Sequence, residues 1–190
     1  MTKYLDEYIP NTKQAARKVQ SDTRKLKFNN IQSCMALVLL PAGAQKLVGV
    51  HLTTGTTTKP DEIDSAMKDL RAEVGTATCD AYIVANYTAF HARTTLGKSL
   101  KKLARKVYVC DLPAMSGTNS SADADVKVEL SGGVMSAFVR RHAVNLTTAP
   151  NQFIRKPNAV VGAGAVPGKP IHMTDRDDKP WMPVAFQPLP

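Results

Sequence analysis

At 190 residues the chain has the length of one domain and can bury a core without covalent staples. Its hydrophobic fraction of 43% and charged fraction of 22% are those of an ordinary globular protein, and no stretch approaches the roughly 18 uninterrupted apolar residues of a membrane-spanning helix, which excludes a helical integral membrane protein. The formal charge of +9 favours contact with something acidic: nucleic acid, an anionic surface or an acidic protein.

The opening residues Met1 to Glu7 are polar and carry acids where a secretory signal needs an apolar run, so Sec-type export is not expected. The chain is read as cytoplasmic as synthesised, with delivery to a target cell by a signal-less secretion route left open. Residues 1–27 are basic through Lys13, Arg17, Lys18, Arg24, Lys25 and Lys27, and read as an N-terminal arm or a surface helix over about Thr12 to Arg24.

From Cys34 the pattern becomes a continuous apolar run to Leu40, closed by Pro41-Ala42-Gly43, which predicts a buried strand and a turn. Lys46 to Leu52 predicts its hairpin partner. After a threonine-rich loop, Pro60 with Asp61 and Glu62 opens a helix whose Ile63, Met67, Leu70 and Val74 share one face, and Gly75 stops it. A strand over Ala81–Ala85 follows, then a helix from about Thr94 to Arg105 with Leu96, Leu100 and Leu103 inward. A strand over Val107–Cys110 comes next. Val126–Leu130 alternates as a half-exposed strand, turned by Gly132-Gly133 into a partner over Val134–Val144. Eight of the twelve prolines lie between Pro150 and Pro190, so residues 149–190 read as an extended wrap, with Trp181 and Phe186 as docking points. The expected globular unit is residues 28–148, of α+β class.

Cys34, Cys79 and Cys110 are odd in number and widely spaced, so they read as reduced thiols, and without a paired His or Cys spacing no metal or other cofactor is expected. Cys34 stands at the mouth of its predicted strand, and the hairpin carries His51 on the neighbouring one. An imidazole beside a thiol lowers its pKa and serves as general acid for a leaving group, the arrangement of a cysteine nucleophile.

Ser33-Cys34-Met35-Ala36-Leu37-Val38-Leu39, a Pro-Gly turn, and Val48-Gly49-Val50-His51-Leu52 resemble the core of the CheD chemoreceptor glutamine deamidases. Those proteins start a hydrophobic strand with Gly-Ser-Cys and carry a His seventeen residues on. The same Cys-His core recurs in bacterial toxins of the cytotoxic necrotising factor type. The resemblance spans about residues 29 to 112, and its detailed motif is confined to 31 to 52. It implies a β-sandwich core with flanking helices and a thiol-dependent protein glutamine deamidase, an effector or toxin, that yields glutamate and ammonia. Cys34 would be the nucleophile, His51 the general base and acid, and the backbone N–H groups of Ser33 and Cys34 the oxyanion donors. Phe28 stands where the CheD pattern has threonine, so the third member, or the substrate-orienting group, is open among Asn29, Asn30, Gln32, Thr53 and Thr54.

Two alternatives stay open beside that reading. Cys34 is equally a small core hydrophobe, and His51 a core histidine satisfied by backbone. Lys98, Lys101, Lys102 and Arg105 form a solvated helix face or a surface for an acidic protein or nucleic acid, and on that second footing the chain would be a non-catalytic binding protein on a deamidase-like fold.

Overall fold

The computed structural model describes residues 3–5, 7–8, 20–31, 34–43, 45–53, 60–88, 90, 92–112, 124–141 and 181–189. The described elements are mixed α+β, with two helices and two sheets of mostly antiparallel strands. In chain order they are β1 (Lys3–Leu5), β2 (Glu7–Tyr8), β3 (Gln20–Thr23), β4 (Lys25–Ile31), β5 (Cys34–Pro41) and β6 (Leu47–Thr53). Helix α1 (Pro60–Val74), β7 (Cys79–Ala85), α2 (Arg93–Leu103), β8 (Lys106–Asp111), β9 (Ala124–Ser131) and β10 (Val134–Arg141) follow. The chain closes with β11 (Met182–Pro183) and β12 (Gln187–Pro188).

The first sheet runs β1-β4-β9-β10-β11 and the second β12-β8-β7-β5-β6-β2, with β3 also on β6. Alternation along β5 sorts its side chains between two cores. Met35, Leu37 and Leu39 face the helices, joining Ile63, Leu70, Leu96 and Leu100, while Cys34, Ala36 and Val38 face the first sheet, joining Leu26, Phe28, Val126 and Val139. A strand apolar on both faces has to be covered on both, and β5 is, by helices on one side and a sheet on the other. Gly132 and Gly133, at φ 56° and 79°, make the tight turn between β9 and β10 that non-glycine residues resist.

Two expectations need correction. Residues 20–23 are strand and Lys25 opens another, so the helix expected over Thr12 to Arg24 is not formed at its C-terminal end; residues 12–19 lie outside the described residues. Leu26 and Phe28 alternate with Lys25, Lys27 and Asn29, a period of two that outweighs the scattered lysines and arginines, and both are fully buried. The core therefore takes in Leu26, from the stretch 1–27 that read as an arm. Of the wrap, residues 149–180 lie outside the described residues, whereas 181–189 strap the two sheets together. Met182 pairs with Val139, Gln187 with Val109, and Leu189 N–H donates to the Val107 carbonyl at 2.8 Å. Among the described residues no helix is long and apolar enough to cross a membrane.

Candidate active site

Strand register brings the two chemistry-bearing residues together. Cys34 opens β5 opposite Thr53 of β6, and Ala36 stands opposite His51, so Cys34 and His51 are diagonal neighbours on the face turned to the first sheet. Diagonal pairs have Cα atoms about 7–8 Å apart and Cβ atoms somewhat nearer, a gap that a thiol and an imidazole arm can span. One row across this face reads His51, Ala36, Val84, Cys110 through the pairings of β6, β5, β7 and β8. Cys110 is thus three strand spacings, about 14 Å, from His51. Cys79 sits on the helix side, its Sγ donating to the Leu103 carbonyl at 3.3 Å, and burial pushes its thiol pKa up. Cys34 is the cysteine that can meet the histidine.

Both residues are enclosed: Cys34 is 2% exposed and His51 3%. Enclosure suits a water-excluding site as well as a plain core, and the neighbours decide what surrounds the pair. Phe28 crosses from β4 with its ring edge-on to the imidazole, centroids 6.4 Å apart at 78°. That close crossing depends on Gly49, where a Cβ would stand 2.5 Å from Leu26 Cδ1 and 3.2 Å from Phe28 Cζ. The register between β4 and β9 shifts between Phe28 and Ile31, which lets both residues, three apart, point into the core.

The remaining sequence candidates divide. Asn29 is half-buried and lies in β4 at the register shift that follows Phe28. Asn30 belongs to β4, and Thr53 stands at the register position across from Cys34. Gln32, Ser33 and Thr54 lie outside the described residues.

Asn86 was missed. Met35 pairs with Ala85 and Ala36 with Val84, so Asn86, the residue after the last of these pairs, leaves β7 at the end where β5 begins with Cys34. Val84 belongs to the core between the sheets and Ala85 and Tyr87 to the core under the helices, which leaves Asn86 on the Cys34 face by alternation. It is a buried polar residue, 7% exposed. The turn behind it is clamped to the end of β8: Asp111 accepts from Tyr87 N–H at 2.8 Å and from the Thr88 hydroxyl at 2.7 Å. Tyr87 donates its own hydroxyl to the Arg93 carbonyl at 3.2 Å, and burial raises its pKa. A lone amide closing the apolar run Ala81–Ala85 was the available signal.

Lys98, Lys101 and Lys102 are exposed on α2, whereas Arg105 is committed to Asp80 through two hydrogen bonds of 2.9 and 3.1 Å. No three His, Cys, Asp or Glu side chains cluster among the described residues. Comparison with family models and with curated proteins finds no match to the chain.

Proposed function

We propose that the chain is a cysteine-dependent protein glutamine deamidase, with the CheD-like arrangement of a β-sandwich core and flanking helices. The observation that carries the reading is the register: one cysteine and one histidine are set diagonally on neighbouring strands, on the face where Asn86 is also buried. His51 takes the thiol proton, and the Cys34 sulfur attacks the carboxamide carbon of a protein glutamine. The tetrahedral intermediate collapses as His51 returns the proton to the departing ammonia. Water, activated by the same imidazole, then cleaves the thioester to glutamate and restores the thiol. Asn86 can donate its amide N–H to the developing oxyanion or hold the substrate carboxamide, together with the backbone N–H of Cys34. No cofactor enters this scheme. The test is ammonia release from an N-acylated Gln-Gly peptide and from unfolded casein, by wild type and by Cys34→Ala and His51→Ala. Activity lost in both variants supports the reading; equal release by all three proteins, or none by wild type, refutes it.

One observation favours a second reading. The group facing His51 from β4 is the phenyl ring of Phe28, which offers no oxygen to orient an imidazole. A non-catalytic binding protein on the same frame accounts for that substitution. Rapid alkylation of Cys34 at neutral pH would exclude it, since a sealed core thiol reacts only after unfolding.

A further inference from the structure

Where α2 meets the C-terminal strap, two clefts of about 360 and 440 Å³ lie side by side, sharing Lys101 and Leu189. Arg93 and Lys98 line the first, Arg105 and Lys106 the second, and among the described residues no carboxylate lines either. Arg105 is neutralised by Asp80. Arg93 donates to the uncharged carbonyls of Thr88 and Phe90 and keeps its charge. Beneath this rim the surface is aliphatic: Leu189, half-buried, is seated against Gly97, whose absent Cβ would stand 3.3 Å from Leu189 Cδ2. Val107 and Ala104 continue the lining. A cationic rim over an aliphatic floor asks for a ligand that presents carboxylates and apolar side chains in alternation. We infer that these twin clefts dock an acidic peptide segment of a partner protein, its carboxylates on Arg93, Lys98 and Lys106 and its aliphatic side chains on either side of Leu189.

This goes beyond the deamidase reading, because docking here needs neither Cys34 nor His51. A peptide is favoured over a nucleic-acid strand by the lining. Bases stack on open aromatic faces, but Tyr108 is already stacked on Tyr82 at 5.0 Å, and Tyr87 is buried. Pro188 has no N–H to offer an added strand, so side chains rather than backbone must carry the recognition.

The test uses the full chain and fluorescence anisotropy with three labelled probes: an alternating glutamate–leucine peptide, a glutamate–serine peptide of the same length, and a single-stranded oligonucleotide of equal charge. The glutamate–leucine peptide is expected to bind tightest, more weakly as salt rises. Reversing the rim charge with Lys98→Glu and Lys106→Glu together, one in each cleft, should weaken it by roughly tenfold or more. Lys102→Glu, an exposed lysine of α2 outside both clefts, should change it far less. Cys34→Ala should bind as wild type does. Circular dichroism establishes that each variant is folded, and Leu189→Ser gives a second, uncharged perturbation that should reduce the preference for leucine over serine. The inference is overturned if the oligonucleotide binds as tightly as the glutamate–leucine peptide, if serine replaces leucine without loss, or if Lys102→Glu matches the double reversal.

Discussion

Gly49→Ala probes the packing that supports the candidate site. Gly49 faces Val38 across the β5–β6 pair, and its backbone lies outside the left-handed region, so strain in φ is not at issue. On an unobstructed strand the change would stabilise the chain by about 0.4–1 kcal/mol, through the smaller entropy of the unfolded state. Here the new methyl meets Leu26 Cδ1 at 2.5 Å, Phe28 Cζ at 3.2 Å and the Leu37 carbonyl oxygen at 3.5 Å. Leu26 and Phe28 are both fully buried, so neither can swing into solvent, and overpacking of this kind costs about 1–3 kcal/mol. The net expectation is a loss of roughly 0–2.6 kcal/mol, centred near 1, or about 2–4 °C in Tm for each kcal/mol at this chain length. The assay is urea unfolding followed by circular dichroism. Leu26→Val, which removes the clashing methyl, should make the Gly49→Ala change less costly, with a coupling of at least about 0.5 kcal/mol. A Gly49→Ala protein more stable than wild type, or strict additivity with Leu26→Val, would refute the close crossing of β4 over β6 and with it the Phe28–His51 contact.

The buried pair of Arg140 and Asp125, 2.9 Å apart with side chains 3% and 0% exposed, predicts that Asp125→Ala costs about 3–5 kcal/mol in urea unfolding, because it strands a buried cation. Trp181 is the only tryptophan and lies over Arg140 at 4.9 Å and Lys127 at 5.2 Å, so its emission reports the strap. Phe186→Ala, which removes the ring packed on Tyr82 at 5.1 Å, should red-shift that emission in a protein whose far-ultraviolet spectrum is unchanged. Burial raises the pKa of the Cys79 thiol above 9.0, and of Tyr82 and Tyr87 above 10.0, so the neutral forms are favoured by folding. Their contribution is complete below the unfolded values and is lost as pH rises through the folded ones. Stability should therefore decline above about pH 9, and Cys79→Ser should flatten the first part of that decline in unfolding measured from pH 8 to 11.

The hairpin of β5 and β6 and both described helices were legible because each carries a clean local signal: an unbroken apolar run between turn residues, or apolar residues at helical spacing ended by Gly75. The strand over Lys25–Ile31 was not, although Leu26, Phe28 and Ile31 are all buried. Its period of two breaks at the bulge around Asn29 and Asn30, and its outward positions carry Lys25 and Lys27, which mimic a charged arm. Cys34 and His51 were legible as a pair because hairpin register follows from turn length, whereas Asn86 was not. Its place at the Cys34 end of the sheet depends on the pairing of β5 with β7, strands separated by β6 and α1, and nothing local to Asn86 encodes that pairing.

The second sheet divides two tasks between its faces and ends. β5 and β7 run antiparallel while β7 and β8 run parallel, so the Cys34 end of β5 coincides with the Ala85 end of β7 and the Asp111 end of β8. Cys34, His51 and Asn86 occupy that end, on the face covered by the first sheet. Lys106 lies at the other end of β8, opposite Asp80, and α2 covers the other face. Among the described residues the Arg93 end of α2 returns toward Asn86, where Asp111 and Arg93 hydrogen-bond to residues 87, 88 and 90. A peptide seated in the twin clefts would therefore touch the candidate site through one short, tightly bonded connection and share no side chain with it. Docking and chemistry are separable on this frame, which is why charge reversal at Lys98 and Lys106 and removal of the Cys34 sulfur should each leave the other property in place.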